Sequence, residues 1–346
     1  MNRFASAARS ALIGFFALAV AMPVQAQTLE PLKIGVLRVA SQAPFFFGLD
    51  NGYFEAEGIA AELVFFDAAV PATVAVVSGD VDVAVIGFTG AFFNMAAQGG
   101  IKVIAGHSRE VPGFRNTGIF ASNAAYDAGM TTFADMEGKS IGLTTMGSTN
   151  HYAVARIAEK YGFDIAGNHL VPAQGLGNLA AMVQGNQVDA VAGAGTGFMP
   201  LVEAGQARLL GWAGDEVAWQ LAAIGVAPQT IVDRHDLLER FIRAYERGVA
   251  EYQNELLLRN EDGSFKETEK SQALLEIVSK YIGVEPENLK RSLAYIDPRL
   301  DVQSIIDQIE WNAAEGFLQA DPDPVEFIDL TFIDGHENVP QVFGQK

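Results

Sequence analysis

The stretch "VDVAVIGFTG", residues 81–90, decides the fold. It has the pattern of a short buried strand that ends in a threonine and a glycine, and residues 90–98 have the pattern of a helix. A second stretch, "VDAVAGAGTG" at 188–197, begins with the same Val-Asp pair and ends with the same Thr-Gly pair, 107 residues further on. Because both copies combine strand, loop and helix, the chain is predicted to contain two α/β units of similar design.

The same spacing recurs in the first strand of each unit, where "IG" at 34–35 matches "IG" at 141–142. Apolar strands alternate with helical segments over 32–106 and again over 139–211, which is typical of a parallel sheet flanked by helices. The sequence therefore predicts an α/β fold with two lobes, each a mainly parallel sheet covered by helices.

The alternation of strands and helices breaks near 112–118 and 214–225, where the chain is expected to cross between the lobes. Lobe one would then hold residues 27–114 plus 221–346, and lobe two residues 115–220. The tail adds helices to lobe one.

The first 26 residues are predicted to be a secretory signal peptide. Arg3 and Arg9 precede the apolar run 11–22, which is too short to span a bilayer, and "VQA" at 24–26 is a small-residue cleavage site. A membrane anchor is the less favoured alternative. The chain has no cysteine, so neither a disulfide nor a lipid-bearing thiol is expected. We expect a soluble periplasmic protein without a lipid anchor, whose mature chain begins at or near Gln27.

The amino-acid composition argues against several classes of binding partner. Lys and Arg total 23 against 42 Asp and Glu, giving a net charge of −19, which disfavours nucleic acids and anionic membranes. The five histidines show no metal-ligand spacing, and the chain has no cysteine nucleophile and no G-x-S-x-G motif. We expect no metal, no cofactor and no enzymatic activity.

In open α/β sheets, ligands bind beyond the carboxyl ends of the strands, where the following helices present unpaired N–H groups. Thr89 and Thr196 stand at such ends, as do Ser41 and the "GSTN" stretch at 147–150. These polar residues at strand ends and helix starts are expected to line one cleft. Alternatively, threonines and serines here only cap helices, although capping and ligand binding are compatible.

Four stretches carry a resemblance to a known family: "KIGVLRVASQAPFFFGLDNGYFEAEGI" (33–59), "GDVDVAVIGFTG" (79–90), "ADMEGKSIGLTTMGSTNHY" (134–152) and "GNQVDAVAG" (185–193). They resemble the periplasmic substrate-binding proteins of ABC importers for aliphatic sulfonates, taurine, nitrate and thiamine precursors. The resemblance implies the two-lobed periplasmic binding protein fold, with a hinge that closes on the ligand. It also implies a partner permease in the inner membrane. The stretch "GAGTG" at 193–197 departs from the Trp and Asp-Pro that sulfonate-binding members often carry.

In that family, ligand contacts come from the loop after the first strand, the Thr-Gly turn and the helix start near residue 147. Arg38 could pair with an anionic head group or with a surface carboxylate. The predicted ligand-binding residues are Arg38, Ser41, Gln42, Phe45, Thr89, Gly90, Gly147, Ser148, Thr149, Asn150, His151 and Thr196.

The predicted function is capture of a small organic ligand, expected to be anionic, by a monomeric solute-binding component of an ABC importer. Two alternatives stay open at this point. One is an enzyme on the same scaffold, similar to a thiamine-precursor synthase, and the other is a ligand-sensing domain. The absence of a nucleophile, a metal set and clustered histidines argues against the enzyme.

Overall fold

The computed structural model describes residues 28–344. The predicted signal peptide and its cleavage site lie outside the described residues. Within them, no helix is long and apolar enough to cross a membrane.

The strands of residues 28–344 confirm the predicted alternation. They are β1 Glu30–Leu37, β2 Ile59–Phe66, β3 Val83–Gly87, β4 Lys102–Gly106, β5 Ser108–Glu110, β6 Thr117–Ala121, β7 Ser140–Leu143, β8 His169–Pro172, β9 Ala190–Ala194, β10 Arg208–Trp212, β11 Trp219–Gln220, β12 Ala222–Val226 and β13 Tyr295–Ile296.

Helices connect and cover these strands. They are α1 Ala43–Asp50, α2 Tyr53–Ala56, α3 Ala69–Ser78, α4 Gly90–Ala97, α5 Asn123–Asp127, α6 Thr149–Tyr161, α7 Leu176–Gln184, α8 Gly195–Glu203, α9 Ala213–Glu216, α10 Pro228–Leu256, α11 Glu269–Ile282, α12 Pro286–Leu289, α13 Val302–Ala314 and α14 Pro324–Phe327. Short 3-10 turns occur at Ala40–Gln42, Ala134–Met136, Ile165–Gly167 and Gln341–Gly344.

Two larger sheets form the centres of two lobes. The first has the order β2-β1-β3-β12-β4 and the second β10-β6-β9-β7-β8. In each, one strand runs against its neighbours: β12 pairs antiparallel with β3 and β4, and β6 with β9 and β10. The two sheets have equivalent strand orders when the first is read from β4 and the second from β10. Strands β4, β12, β3, β1 and β2 then correspond to β10, β6, β9, β7 and β8. The predicted α/β class and the similar design of the two units are confirmed.

A small third sheet, with the order β11-β5-β13, joins the two lobes. Strand β5 lies on the passage from the first sheet to the second, and β11 lies on the return. They pair antiparallel, with Trp219 opposite Glu110 and Gln220 opposite Arg109. The passages between the sheets therefore run through 107–116 and 213–221, while the division into lobes at 114 and 220 stays a prediction.

One predicted helix is divided in the structure. The sequence pattern of 44–58 predicts one helix that ends at glycine. In the structure α1 and α2 are separated, because Gly52 has a left-handed backbone, with φ +71°. The apolar periodicity of 236–252 predicts a helix, and α10 extends beyond this segment at both ends. Arg234 near the start of α10 departs from helical geometry, with φ −137° and ψ 34°. Helix α1 buries its aromatic face against α10, so the C-terminal segment completes the core of the first lobe.

Candidate functional site

A cavity of about 110 Å³ lies between the two larger sheets. Its size is comparable with an engineered cavity of ~150 Å³ that binds benzene. Both sheets contribute, chiefly at the carboxyl ends of their parallel strands, and the joining passages contribute Ser108, Asn116 and Leu221. The lining residues are Leu37, Val39, Ser41, Gln42, Ala68, Ala69, Val85, Ile86, Gly87, Ser108, Asn116, Thr117, Thr144, Thr149, Asn150, Leu176, Ala194, Leu221 and Ala222.

The lining combines apolar walls with neutral polar groups. None of the residues that line it within the described chain carries a charged side chain or an imidazole. Its polar side chains are the hydroxyls and carboxamides of Ser41, Gln42, Ser108, Asn116, Thr117, Thr144, Thr149 and Asn150. Such a site orients a ligand through hydrogen bonds and encloses its body with aliphatic groups.

Helix N-termini surround this cavity. The first residues of α3, α6 and α7 line it, as does Ala194, which immediately precedes α8. No side chain caps α3, α7 or α8, because the preceding residues are Ala68, Gly175 and Ala194. Backbone carbonyls accept from the first N–H of two of these helices: Gly195 N donates to the Asn116 carbonyl at 2.7 Å and Leu176 N to the Asp67 carbonyl at 3.4 Å. The following N–H groups and the helix dipoles favour anionic or acceptor-rich ligand atoms at this place.

Of the twelve predicted site residues, four line the cavity: Ser41, Gln42, Thr149 and Asn150. The Asn150 Nδ2 donates to the Ala192 carbonyl at 2.9 Å, which fixes this side chain against the second sheet. The loop after β1 and the start of α6 therefore face one cavity, whereas Thr89 and Thr196 are not among its lining residues.

Other predicted residues join the two lobes beside the cavity. Gly90 N donates to the Gly147 carbonyl at 2.9 Å, and Ala40 N donates to Thr196 Oγ1 at 3.1 Å. Each bond links a residue of the first lobe to one of the second. The structure is therefore a closed arrangement, in which the edges of the cleft are in contact.

The hydroxyls of Thr89 and Ser148 cap helices. Thr89 Oγ1 accepts from Phe92 N at 3.0 Å, and Ser148 Oγ accepts from His151 N at 3.2 Å. Neither residue is among those that line the cavity. The structure thus favours the capping alternative for these two residues.

Arg38 and Phe45 lie away from the cavity. Arg38 is exposed, with its guanidinium 4.0 Å from the Phe65 ring centroid and its Nη1 donating to the Tyr281 carbonyl at 2.8 Å. Phe45 is buried in the core, where it stacks on Tyr245 at 5.2 Å between ring centroids. Residue 38 lies just past the end of β1 with its side chain exposed, and helix α1 turns residue 45 toward α10.

His151 is buried behind the start of α6 and is not among the lining residues. Its Nδ1 accepts from Gly147 N at 3.1 Å, and its ring packs against Trp311 and Phe317. Burial lowers the pKa of His151 to about 4, so the ring is neutral at physiological pH. Its role is to shape the loop that carries Gly147.

Two lining residues, Asn116 and Thr117, were not predicted from the sequence. Glu110 of β5 holds both: its Oε1 accepts from Asn116 Nδ2 and from Thr117 N, each at 3.0 Å. Glu110 is buried, and burial raises its pKa to about 7. The signal available in the sequence was a pair of charged residues, Arg109 and Glu110, shortly after the apolar strand that ends at Gly106.

The capping geometry leads to a first prediction. Thr89→Ala and Ser148→Ala should each lower the free energy of unfolding by about 0.5–2 kcal/mol, because a helix loses its N-cap. The affinity for ligand should stay close to that of the parent protein. Thr149→Ala, at a lining position one residue further along, is the matched comparison and should weaken binding. Denaturant unfolding and calorimetric titration of the three variants check this, and an unchanged stability with lost affinity at Thr89 would contradict it.

Comparison with known protein families identifies the family of this chain. The model of the family described as NMT1/THI5 like matches residues 40–255. The chain belongs to the NMT1/THI5-like family. This match spans the cavity-lining residues other than Leu37 and Val39, the whole second sheet and most of α10. Comparison with curated protein sequences finds no match.

Solved structures of this family's fold are similar over most of the chain. The alkanesulfonate-binding protein SsuA from Xanthomonas axonopodis pv. citri, bound to MOPS, has a TM-score of 0.70 at 17% identity, covering 87% of this chain and 98% of that one. The periplasmic aliphatic sulphonate binding protein SsuA from Escherichia coli has a TM-score of 0.68 at 15% identity, covering 89% and 95%.

The periplasmic nitrate-binding protein NrtA from Synechocystis PCC 6803 has a TM-score of 0.63 at 13% identity, covering 86% and 84%. These likenesses confirm the periplasmic binding protein fold, and with the family match they confirm the resemblance found in the sequence. Residues 28–344 contain no group of His, Cys, Asp or Glu side chains that could hold a metal ion.

Proposed function

We propose that this protein is a non-enzymatic solute-binding component of an ABC importer that encloses a small organic ligand between its lobes. The observation that carries the proposal is the cavity at the carboxyl ends of both larger sheets, lined by residues of both. Ligands of open α/β sheets bind at this edge. Because a ligand in a site shared by two lobes contacts both of them, its binding favours the conformation in which the lobes are closed.

The lining supports a ligand with an acceptor-rich or anionic end and a compact apolar body. The starts of α3, α7 and α8, which no side chain caps, supply N–H groups for the polar end, apart from the first N–H of α7 and of α8, which donate to backbone carbonyls. Leu37, Val85 and Ile86 supply an aliphatic wall. Recognition through dipoles and hydroxyls, without a charged side chain, suits a small ligand that must be released again to a permease.

The same lining supports a binding role in preference to catalysis. Its polar groups are hydroxyls and carboxamides, and the lining includes no carboxylate, imidazole, amine or thiol within the described residues. General acid–base chemistry draws mainly on those groups. The similar solved proteins named above are described by what they bind.

The importer context is part of the proposal. A periplasmic location rests on the predicted signal peptide, and a permease partner rests on the family resemblance. We propose a monomer without a lipid anchor, in keeping with a cysteine-free chain. Loss of uptake of the bound compound in a deletion strain would support transport, and normal uptake with a lost transcriptional response would support sensing.

A thermal-shift screen tests the binding role. The panel contains alkanesulfonates, aromatic carboxylates, nitrate and pyrimidines. A compound present at 100 times its dissociation constant should stabilise the folded protein by ~2.7 kcal/mol, which raises the melting temperature. A panel in which no compound stabilises the protein would count against a small organic ligand of this kind.

A second prediction concerns closure. Because the lobes touch through Gly90, Gly147, Ala40 and Thr196 in the closed arrangement, a saturating ligand should shift the population toward this compact form. Small-angle scattering should show a smaller radius of gyration with ligand than without it. An unchanged radius at saturation would contradict closure about the hinge.

A further inference from the structure

A second cavity, of about 320 Å³, lies beside the first passage between the lobes. The passage contributes Gly113 and Arg115, and the C-terminal segment contributes residues of the turn 259–265 and of the stretch 287–293. It shares no lining residue with the cavity between the two larger sheets. Four of its ten lining residues are basic, so we call it the basic cavity; they are Arg115, Arg259, Lys290 and Arg291.

Two of these four cations are neutralised by carboxylates of the protein. Lys290 Nζ lies 2.7 Å from Glu287 Oε1 and 2.9 Å from Glu267 Oε2. Arg291 Nη1 lies 3.1 Å from Glu203 Oε1, which belongs to α8. These contacts account for the charge of Lys290 and Arg291 without any ligand.

The other two cations, Arg115 and Arg259, have no carboxylate partner within residues 28–344. Arg259 is half-buried, and its Nη1 donates to the Leu256 and Leu258 carbonyls at 3.1 and 3.0 Å. Its Nε and Nη2 have no acceptor among the described residues, and both atoms have surface accessible to solvent. Arg115 is exposed, and its guanidinium donates to no described residue. The basic cavity therefore has two positive charges that the protein leaves uncompensated, in a chain whose net charge is −19.

The backbone holds these two arginines in place around the cavity. A bridge between Arg259 and Phe265 closes the turn that carries Arg259, and the Arg259 guanidinium lies 5.9 Å from the Phe114 ring centroid. Arg115 N donates to the Leu293 carbonyl at 3.1 Å. Burial, and after it the positive charge of Arg115, lower the pKa of Arg259, which shows that the two guanidinium groups are near enough to repel each other.

We propose that the basic cavity is a second binding site, in which Arg115 and Arg259 pair with a small dianion. A guanidinium presents a planar fork of N–H donors that matches the oxygen atoms of an oxyanion, so free forks are suited to this class of ligand. Two negative charges balance the two uncompensated arginines and remove their repulsion. A cavity needs only about 10–15 Å³ to admit one water, so the basic cavity has room for a tetrahedral oxyanion or a short dicarboxylate.

This site is separate from the proposed function and does not rest on it. The cavity between the sheets recognises its ligand through hydroxyls, carboxamides and helix starts, whereas the basic cavity uses charged side chains. A bound dianion would connect the passage, through Arg115, with the C-terminal segment, through Arg259. An inorganic oxyanion and a short dicarboxylate offer the same chemistry, and the probes distinguish these two sources.

Matched pairs of probes test the preference for two charges. The pairs are sulfate with methyl sulfate, and malonate with acetate, titrated into the purified protein by calorimetry at low and constant ionic strength. At least one dianion should bind to a single saturable site, about tenfold or more tighter than the monoanion of its pair. Absence of saturable binding by both dianions, or equal affinities within both pairs, would overturn the proposal. Calorimetry is preferable to thermal unfolding here, because sulfate stabilises folded proteins in general through its exclusion from their surface.

Arg115→Gln tests the location of the site. The variant should fold like the parent, since the side chain is exposed and has no partner among the described residues. Its affinity for the binding dianion should fall by about tenfold or more, because charge-assisted hydrogen bonds are lost. Parent-like affinity in Arg115→Gln would overturn the proposal.

Arg208→Gln is the matched control for net charge. Arg208 also has no carboxylate partner among the described residues, and its guanidinium lies 5.8 Å from the Tyr126 ring centroid, outside the basic cavity. Its affinity for the dianion should stay within about threefold of the parent's, because only the distant field changes. An equal loss in Arg208→Gln and Arg115→Gln would show a general charge effect and overturn the proposal.

The helix starts around the cavity between the sheets are the alternative place for a dianion, and Gly87→Leu separates the two sites. A Cβ at Gly87 would already lie 3.2 Å from Thr149 Cγ2, so leucine fills that cavity but leaves the basic cavity untouched. The dianion should bind to Gly87→Leu as it does to the parent. Lost binding in Gly87→Leu with retained binding in Arg115→Gln would overturn the proposal while supporting the proposed function. Conversely, failure of every organic compound of the thermal-shift panel counts against the proposed function alone, and the sulfate and malonate titrations still decide the dianion site.

Discussion

Gly87→Leu is expected to weaken ligand binding by roughly a hundredfold or more. Gly87 ends β3 and lines the cavity. A Cβ atom at this position would lie 3.2 Å from Thr149 Cγ2 in the second lobe and 3.3 Å from Ala69 Cβ in the first. A leucine side chain would therefore occupy the ligand's space and hold the lobes apart. Calorimetric titration with the best compound of the panel measures the loss.

Gly197→Leu is the matched control for this change. Gly197 is exposed on α8, next to the predicted site residue Thr196, and a Cβ there would meet no atom within 4 Å. The same substitution should leave affinity near the parent's, and it should not destabilise the helix, since leucine is a better helix former than glycine. Parent-like binding by Gly87→Leu would show that the ligand binds elsewhere.

Glu110→Gln is expected to change how stability depends on pH. Burial raises the pKa of Glu110 from an ordinary 4.5 to about 7 in the folded protein, so the folded state holds a proton that the unfolded state has released. Stability from this group is fully present below about pH 4.5, falls as pH rises toward 7, and is constant above that. The loss is on the order of 3 kcal/mol, from about 1.4 kcal/mol per pKa unit.

Glutamine cannot ionise, so the variant lacks this loss while its Oε1 can still accept from Asn116 and Thr117. The stability of Glu110→Gln relative to the parent should rise by about 3 kcal/mol between pH 4.5 and 8. Urea unfolding of both proteins at each pH gives the difference between their free energies of unfolding. The contributions of the other titrating groups cancel in this difference. Glu315→Gln, at an exposed position after α13, controls for the change of residue type. Parallel curves for Glu110→Gln and the parent would contradict the assignment.

The local pattern of apolar and polar residues was sufficient to predict the α/β fold class. Eight of the ten strands in the two larger sheets are largely apolar runs of four to eight residues, so their positions could be predicted without tertiary information. The antiparallel strands β6 and β12 and the short strands of the third sheet were not predicted. The helix starts at Thr89 and Ser148 were also predictable, because capping depends on residues three apart. The division at Gly52 was missed because glycine both ends helices and occurs within them.

The side-chain contacts inside the site could not be predicted, because they join residues that are far apart in the sequence. Gln42 and His107 are 65 residues apart, and His107 and Tyr245 are 138 residues apart. No spacing rule connects such residues, so these contacts could not be predicted from the sequence. Phe45 was predicted to line the site because it follows Pro44, whereas packing against α10 turns it into the core. Conversely, Ser41 and Thr149 were predictable because strand ends and helix starts define the edge of a sheet.

Amide hydrogen–deuterium exchange with the best-binding compound tests most directly that the ligand sits between the lobes. At saturation, we expect slower exchange in peptides from both sides of the cavity, namely those containing Gln42, Gly87, Thr117 and Asn150. Gly87→Leu should show no such protection at the same ligand concentration. Protection confined to one lobe, or protection at these peptides in Gly87→Leu equal to that of the parent, would contradict a ligand enclosed between the two sheets.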